Sequence, residues 1–203
     1  MSGARAGDGG PVHRLPPPTR PREAVDRPGG SGGAPARAGD LVVTRNGARF
    51  LGRRLPCAIG RGGIVPAGDK REGDGATPAG AWRLLRVLWR ADRLARPRTA
   101  LPCLPVGPAD GWSDAPEDNA YNRPVRLPHP FSAERLSRAD PLYDLLAVTD
   151  HNAGGAPGRG SAVFLHCWRA PRHPTAGCIA FRPGDLSWIL ARWRAGCRVL
   201  IAG

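Results

Sequence analysis

Cys178 stands in the run Thr175-Ala176-Gly177-Cys178-Ile179, and His166 closes an apolar stretch twelve positions upstream. A thiol and an imidazole are the components of cysteine nucleophilic catalysis, in which the ring removes the S–H proton as sulfur attacks a carbonyl. Gly177 allows close approach of the backbone, so the amides around Cys178 are placed to donate to an oxyanion developing on that carbonyl. The same spacing also suits a packed thiol beside a structural imidazole. A catalytic Cys178 is expected to alkylate near neutral pH ahead of the other four cysteines, because a nucleophilic thiol is one whose thiolate is favoured. His166, Cys167, His173 and Cys178 would also compose a His2Cys2 set of the kind zinc accepts. Adjacent side chains of an extended strand point to opposite faces, however. His166 and Cys167 then cannot both serve, at most three ligands remain, and no metal is expected.

These groups need rigid elements to hold them. Ala162 to Cys167 reads as a strand that ends at the histidine, and Tyr143 to Thr149 as another. Earlier, Leu41 to Thr44 and Ala48 to Leu51 flank Arg45-Asn46-Gly47, a strong tight-hairpin signal. A strand is expected at Leu55 to Ile59, then a glycine-rich charged loop from Gly60 to Gly75. Trp82 to Trp89 suits a strand or a short helix, and its aromatics favour the strand. Arg96 to Pro130, dense in Pro, Asp and Asn, reads as a loop, and loops that long are usually functional. One helix is expected, Asp185 to Arg194, with Pro183 and Gly184 before it, an acidic start, and a basic end closed by Gly196. Its Leu186, Ile189, Leu190 and Trp193 share one face and belong to a core. Val199 to Ala202 makes a last short strand. Many strands and one late helix indicate a mostly β domain without internal repeats.

Composition narrows the function. The chain has 203 residues and a net charge of +13, which invites a nucleic-acid partner. Its cations are nearly all arginines, with Lys70 the only lysine, and they are scattered rather than gathered in a stripe with interleaved aromatics. No nucleic acid is therefore expected, although a basic surface suits an anionic polymer. Residues 1–39 are rich in Gly, Pro, Ala and Arg, lack a periodic apolar pattern, and read as a disordered tail; the domain is expected over 40–203. No stretch reaches the roughly 20 apolar residues of a membrane span, and residues 1–40 hold no signal-peptide core. Five cysteines without CxxC spacing do not read as a disulfide framework. Cys57 and Cys197 sit in strand-like runs and suit buried small hydrophobes.

Three separated segments carry a resemblance. FLHCWRAPRHPTAGCIA, from Phe164 to Ala180, resembles the active-site signature of YkuD-type L,D-transpeptidase catalytic domains, a strand-borne His followed by Ser/Thr-x-Gly-Cys and an apolar residue. Asp74-Gly75-Ala76-Thr77-Pro78-Ala79-Gly80 resembles the family's D-G-x-T-P-x-G segment, which taken alone is ordinary turn chemistry. Asn119 to Val125 and Asp150-His151-Asn152 are similar to segments of a short, stand-alone bacterial subgroup. Known members have a longer His-to-Cys interval and a second His before Gly-Cys, where this chain has Ala176.

The resemblance implies a YkuD-type β-sandwich with one helix after the catalytic cysteine. It implies that Cys178 is the nucleophile, His166 its base, and the Cys167 carbonyl the group that orients the ring. The Gly177 and Cys178 amides would form the oxyanion hole, and Thr175 would shape their turn. The implied substrates are peptidoglycan stem peptides, donor and acceptor, joined through a thioester without a cofactor, and the implied place is the periplasm or cell envelope. Arg123, Asn152, Arg169 and the nearby Arg172 suit substrate carboxylates, and His173 is placed to substitute for the missing second histidine. An L,D-carboxypeptidase or amide-exchange enzyme would share this chemistry. A non-catalytic basic module for cell-wall glycan or nucleic acid would share only the fold.

Overall fold

A computed structural model describes residues 35–203. The tail expected at 1–39 lies almost wholly outside the described residues. Its last residues are tied down, because the Arg198 guanidinium donates to the Pro35 carbonyl at 3.1 Å and to Asp40 at 2.6 Å.

The hairpin forms as expected: β1 (Leu41–Thr44) pairs antiparallel with β2 (Gly47–Phe50), and β3 (Arg53–Leu55) extends it. Pro56 has no N–H for a ladder and splits the expected Leu55–Ile59 strand, so β4 (Cys57–Ala58) joins a different sheet. Inside the glycine-rich stretch, β5 (Ile64–Val65) pairs in parallel with β6 (Thr77–Pro78). The tryptophan-bounded run divides into β7 (Gly80–Trp82) and β8 (Leu84–Trp89), which enter separate sheets. The stretch from Arg96 to Pro130 is not the plain loop its composition suggested. It holds β9 (Cys103–Pro105), β10 (Asp110–Ser113) and β11 (Pro124–Arg126), and with β12 (Ala133–Arg135) the last two make a three-stranded sheet around β10. Then come β13 (Leu145–Thr149), β14 (Phe164–Cys167), β15 (Ile179–Phe181), α1 (Pro183–Arg192) and β16 (Val199–Ile201). The helix starts two residues earlier than expected, with proline in its first turn, where no N–H is missed.

Two sheets form the body, in the orders β3-β2-β1-β16-β7 and β4-β15-β14-β13-β8-β9. Their main core joins Val43, Phe50, Val199 and Ile201 of the first to Val87, Ala147, Leu165 and Ile179 of the second, with Leu186, Ile189 and Leu190 of the helix. Phe50 stacks on Trp193 at 5.8 Å, which seats the end of the helix. A buried side chain such as Leu165 contributes about 1.5–3 kcal/mol.

Alternate residues of β13 and β14 face opposite ways. Leu145, Ala147, Leu165 and Cys167 enter the main core, whereas Leu146, Val148 and Phe164 join a second cluster with Leu88, Val106, Trp112, Leu136 and Tyr143. Trp112 of β10 meets Phe164 edge-on at 5.0 Å, so the three-stranded sheet covers this second face. His166 follows Phe164 by two positions and shares its face.

Candidate active site

His166 lies on β14 between Leu146 of β13 and Ala180 of β15. Its Nδ1 is 2.7 Å from the Cys167 carbonyl. A carbonyl only accepts, so Nδ1 carries the hydrogen and Nε2 keeps the lone pair. The Tyr143 ring stands edge-on to the imidazole at 5.4 Å, and the Arg138 guanidinium lies 5.7 Å over Tyr143 while pairing with Glu134 and Asp140. Burial drives the imidazole down to about 4, against the upward pull of the Cys167 carbonyl. The Cys167 side chain points the other way, into the main core, with Sγ 3.7 Å from the Leu145 carbonyl.

Cys178 immediately precedes β15, at the end of a braced turn. The Thr175 hydroxyl accepts the Gly177 N–H at 3.1 Å and donates to the Cys178 carbonyl at 2.7 Å. The Thr77 hydroxyl donates to the Gly177 carbonyl at 2.9 Å while accepting the Gly60 N–H at 2.8 Å. Gly177 has φ +138°, and a Cβ there would stand 2.9 Å from the Ala76 carbonyl oxygen, so no other residue fits. The segment from Asp74 to Gly80 thus braces the cysteine turn as well as making its own.

The thiol donates to the Ala162 carbonyl at 2.9 Å and receives the Phe164 N–H at 3.4 Å. Cys178 packs against the cluster that holds Phe164, on the face of β14 that also bears His166. Burial pushes the thiol up to about 12, against the Phe164 N–H, which favours the thiolate. The resting pair is therefore a neutral thiol and a neutral imidazole. The burial that positions the sulfur also disfavours charge on it.

Ala162 itself is held in the left-handed region at φ +49°, uncommon for a residue with a Cβ. Asn122 secures it. Its Oδ1 accepts the Ala162 N–H at 3.0 Å and Trp112 Nε1–H at 2.9 Å, and its Nδ2 donates to the carbonyls of His151 and Asn152.

The residues expected to bind substrate separate into groups. Thr175 is part of the cysteine turn. Asn152 spends its side chain on its own loop, donating to the Ala156 and Gly160 carbonyls and accepting the Ala156 N–H. Arg123 lies against that loop beside Gly155. Arg169 is exposed and pairs with Asp140 at 3.4 Å, and His173 is exposed in the turn leading to Thr175. Sequence reasoning missed Thr77 and Asn122 as supports, although both lie in quoted segments, and it missed Tyr143. Among the described residues no three of His, Cys, Asp or Glu converge in a metal-holding group, and all five cysteines are unpaired. No described helix is long and apolar enough to cross a membrane.

The family model of the L,D-transpeptidase catalytic domain, YkuD, matches residues 37–201. No curated protein and no solved structure matches the chain. A mostly β sandwich with one helix, matched over nearly all its described length, places this chain in the YkuD family of L,D-transpeptidase catalytic domains.

Proposed function

We propose that this protein is a cysteine L,D-transpeptidase that acts on peptidoglycan stem peptides in the cell envelope and cross-links or remodels the wall. The observation that supports it most is the face shared by His166 and Cys178, where Nδ1–H is committed to Cys167 and only Nε2 can take a proton. In the first half-reaction Nε2 takes the thiol proton as Sγ attacks the carbonyl carbon of the donor's diamino-acid residue. The C–N bond to the terminal D-alanine breaks, His166 gives its proton to the departing amine, and a thioester remains. The Cys178 amide is placed to meet the oxyanion, while the Gly177 N–H, donated to the Thr175 hydroxyl, holds the turn that presents it.

In the second half-reaction a side-chain amine of another stem attacks the thioester. Nε2 takes its proton, the C–S bond breaks, and the proton returns to sulfur. The half-buried guanidinium of Arg123 and the exposed one of Arg169 suit the carboxylates of such peptides, His173 stands exposed in the turn leading to Thr175, and Asn152 acts by fixing its loop. Because both reacting groups rest neutral, charge separates only when substrate replaces the Ala162 carbonyl as the partner of the thiol.

Intact mass spectrometry of the protein with a disaccharide-tetrapeptide, beside Cys178→Ala, tests the proposal. An acyl adduct on the wild type alone, with D-alanine released, supports it. Absence of both adduct and D-alanine overturns it. Later appearance of cross-linked muropeptide distinguishes transfer from the trimmed product of a carboxypeptidase.

A further inference from the structure

Lys70, the only lysine of the chain, has the composition-level look of a solvated loop charge. The structure buries it to 3% exposure. A buried ammonium is costly unless paired, and here Nζ donates to Asp74 Oδ1 and, at 2.8 Å, to the Arg71 carbonyl. Asp74 also accepts the N–H groups of Arg71 and Ala76, both at 2.8 Å. Burial works to raise that carboxyl, but Lys70 and the two N–H groups outweigh it and hold it below the usual carboxylate range. The lysine stem runs between two glycines of positive φ. A Cβ on Gly160 would stand 2.9 Å from Lys70 Cε, and one on Gly177 would stand 3.8 Å from Nζ. Gly160 leads into Ala162, whose carbonyl holds the thiol, and Gly177 precedes Cys178. The end of the lysine side chain therefore lies beside both backbone segments that frame the sulfur, its Cε toward Gly160 and its Nζ toward Gly177.

We propose that Lys70 is a positioning residue of the cysteine turn, a fixed positive charge that favours negative charge on Cys178 and on the acyl oxygen it attacks. The inference rests on Cys178 being the nucleophile. The remaining charged and titratable groups set the background. Glu72, which accepts the Tyr121 O–H at 2.5 Å, and Glu134 of β12 oppose a thiolate. Tyr143 and His166 face the thiol region uncharged, and Asp74, Arg159 and buried His151 surround the lysine.

The test is the rate of iodoacetamide alkylation at Cys178, followed by peptide mass spectrometry between about pH 7 and pH 10 in the full chain. Lys70→Met is expected to slow alkylation about tenfold at each pH, and Lys70→Arg to stay within about threefold of wild type. Asp74→Asn removes the counter-charge and is expected to change the rate in the opposite direction, making it several-fold faster. A folded Lys70→Met with the wild-type rate overturns the proposal, as does an Asp74→Asn rate at or below wild type. If Lys70→Met fails to fold, the sign of the Asp74→Asn change alone decides. Acylation by the tetrapeptide is read separately. Its failure in the wild type sinks the proposed activity, whereas the alkylation order reports on Lys70 alone.

Discussion

The two faces of β14 have opposite uses for similar chemistry. Cys167 and His166 are neighbours, and both residue types are capable of catalysis. The strand turns Cys167 into a dry core shared with the helix, where its thiol is pushed up to about 11 and packs as a small hydrophobe. It turns His166 toward a face covered by Tyr143 and the three-stranded sheet, where the ring keeps one free nitrogen. Residue type did not separate these two roles; the pleat did, together with what covers each face.

The comparison can be broken by perturbing one face at a time. His166→Gln is expected to lower acylation about 10²–10⁴-fold, the usual worth of a general base, with little change in thermal midpoint. On the other face, Leu165→Ala is expected to cost about 2–5 kcal/mol in chemical unfolding, with acylation unchanged per folded molecule. Asn122→Ala strands buried partners, including Trp112 Nε1 and the Ala162 N–H, and is expected to cost about 2–3 kcal/mol. It crosses the divide by also slowing acylation, because Ala162 loses its tether. Cys167→Ala is expected to cost only about 1 kcal/mol and to acylate normally, since its backbone carbonyl holds the ring.

The smallest effect is in pH. With the imidazole down at about 4 and the thiol up at about 12, acylation is expected to be flat between about pH 5 and 9. A bell with a limb near neutrality would mean a pre-formed ion pair. Stability shows the same shift. As pH falls below the ordinary histidine value, the unfolded chain gains a proton that the folded His166 refuses until about 4. Urea midpoints are therefore expected to drop across that window, less so in His166→Gln.

Much of this was legible in the sequence, for identifiable reasons. The hairpin, the core stripe of α1 and the apolar strand bearing His166 follow from local pattern. The cysteine turn was legible through its glycine and threonine. What escaped was set by distant pairing. Pro56 shows that a strand breaks, but not that β4 crosses to another sheet. Arg123 attracted notice by its charge, while its neighbour Asn122 is the hub, because its four partners come from three distant parts of the chain. The neutral resting thiol was invisible too, since burial is a property of the whole fold.

One pairing bears on the order of assembly. β1, from the first quarter of the chain, lies between β2 and β16, matched in parallel with Val199–Ile201. During synthesis the hairpin precedes its inner neighbour by a long stretch of chain, because β16 follows every other strand described. The five-stranded sheet therefore cannot close, nor the helix be clamped beneath it, until translation has passed Ile201. A chain stalled before Val199 would hold the β1–β2 hairpin with one edge of β1 still unpaired, and the turn that carries Cys178 would lack the closed first sheet behind it.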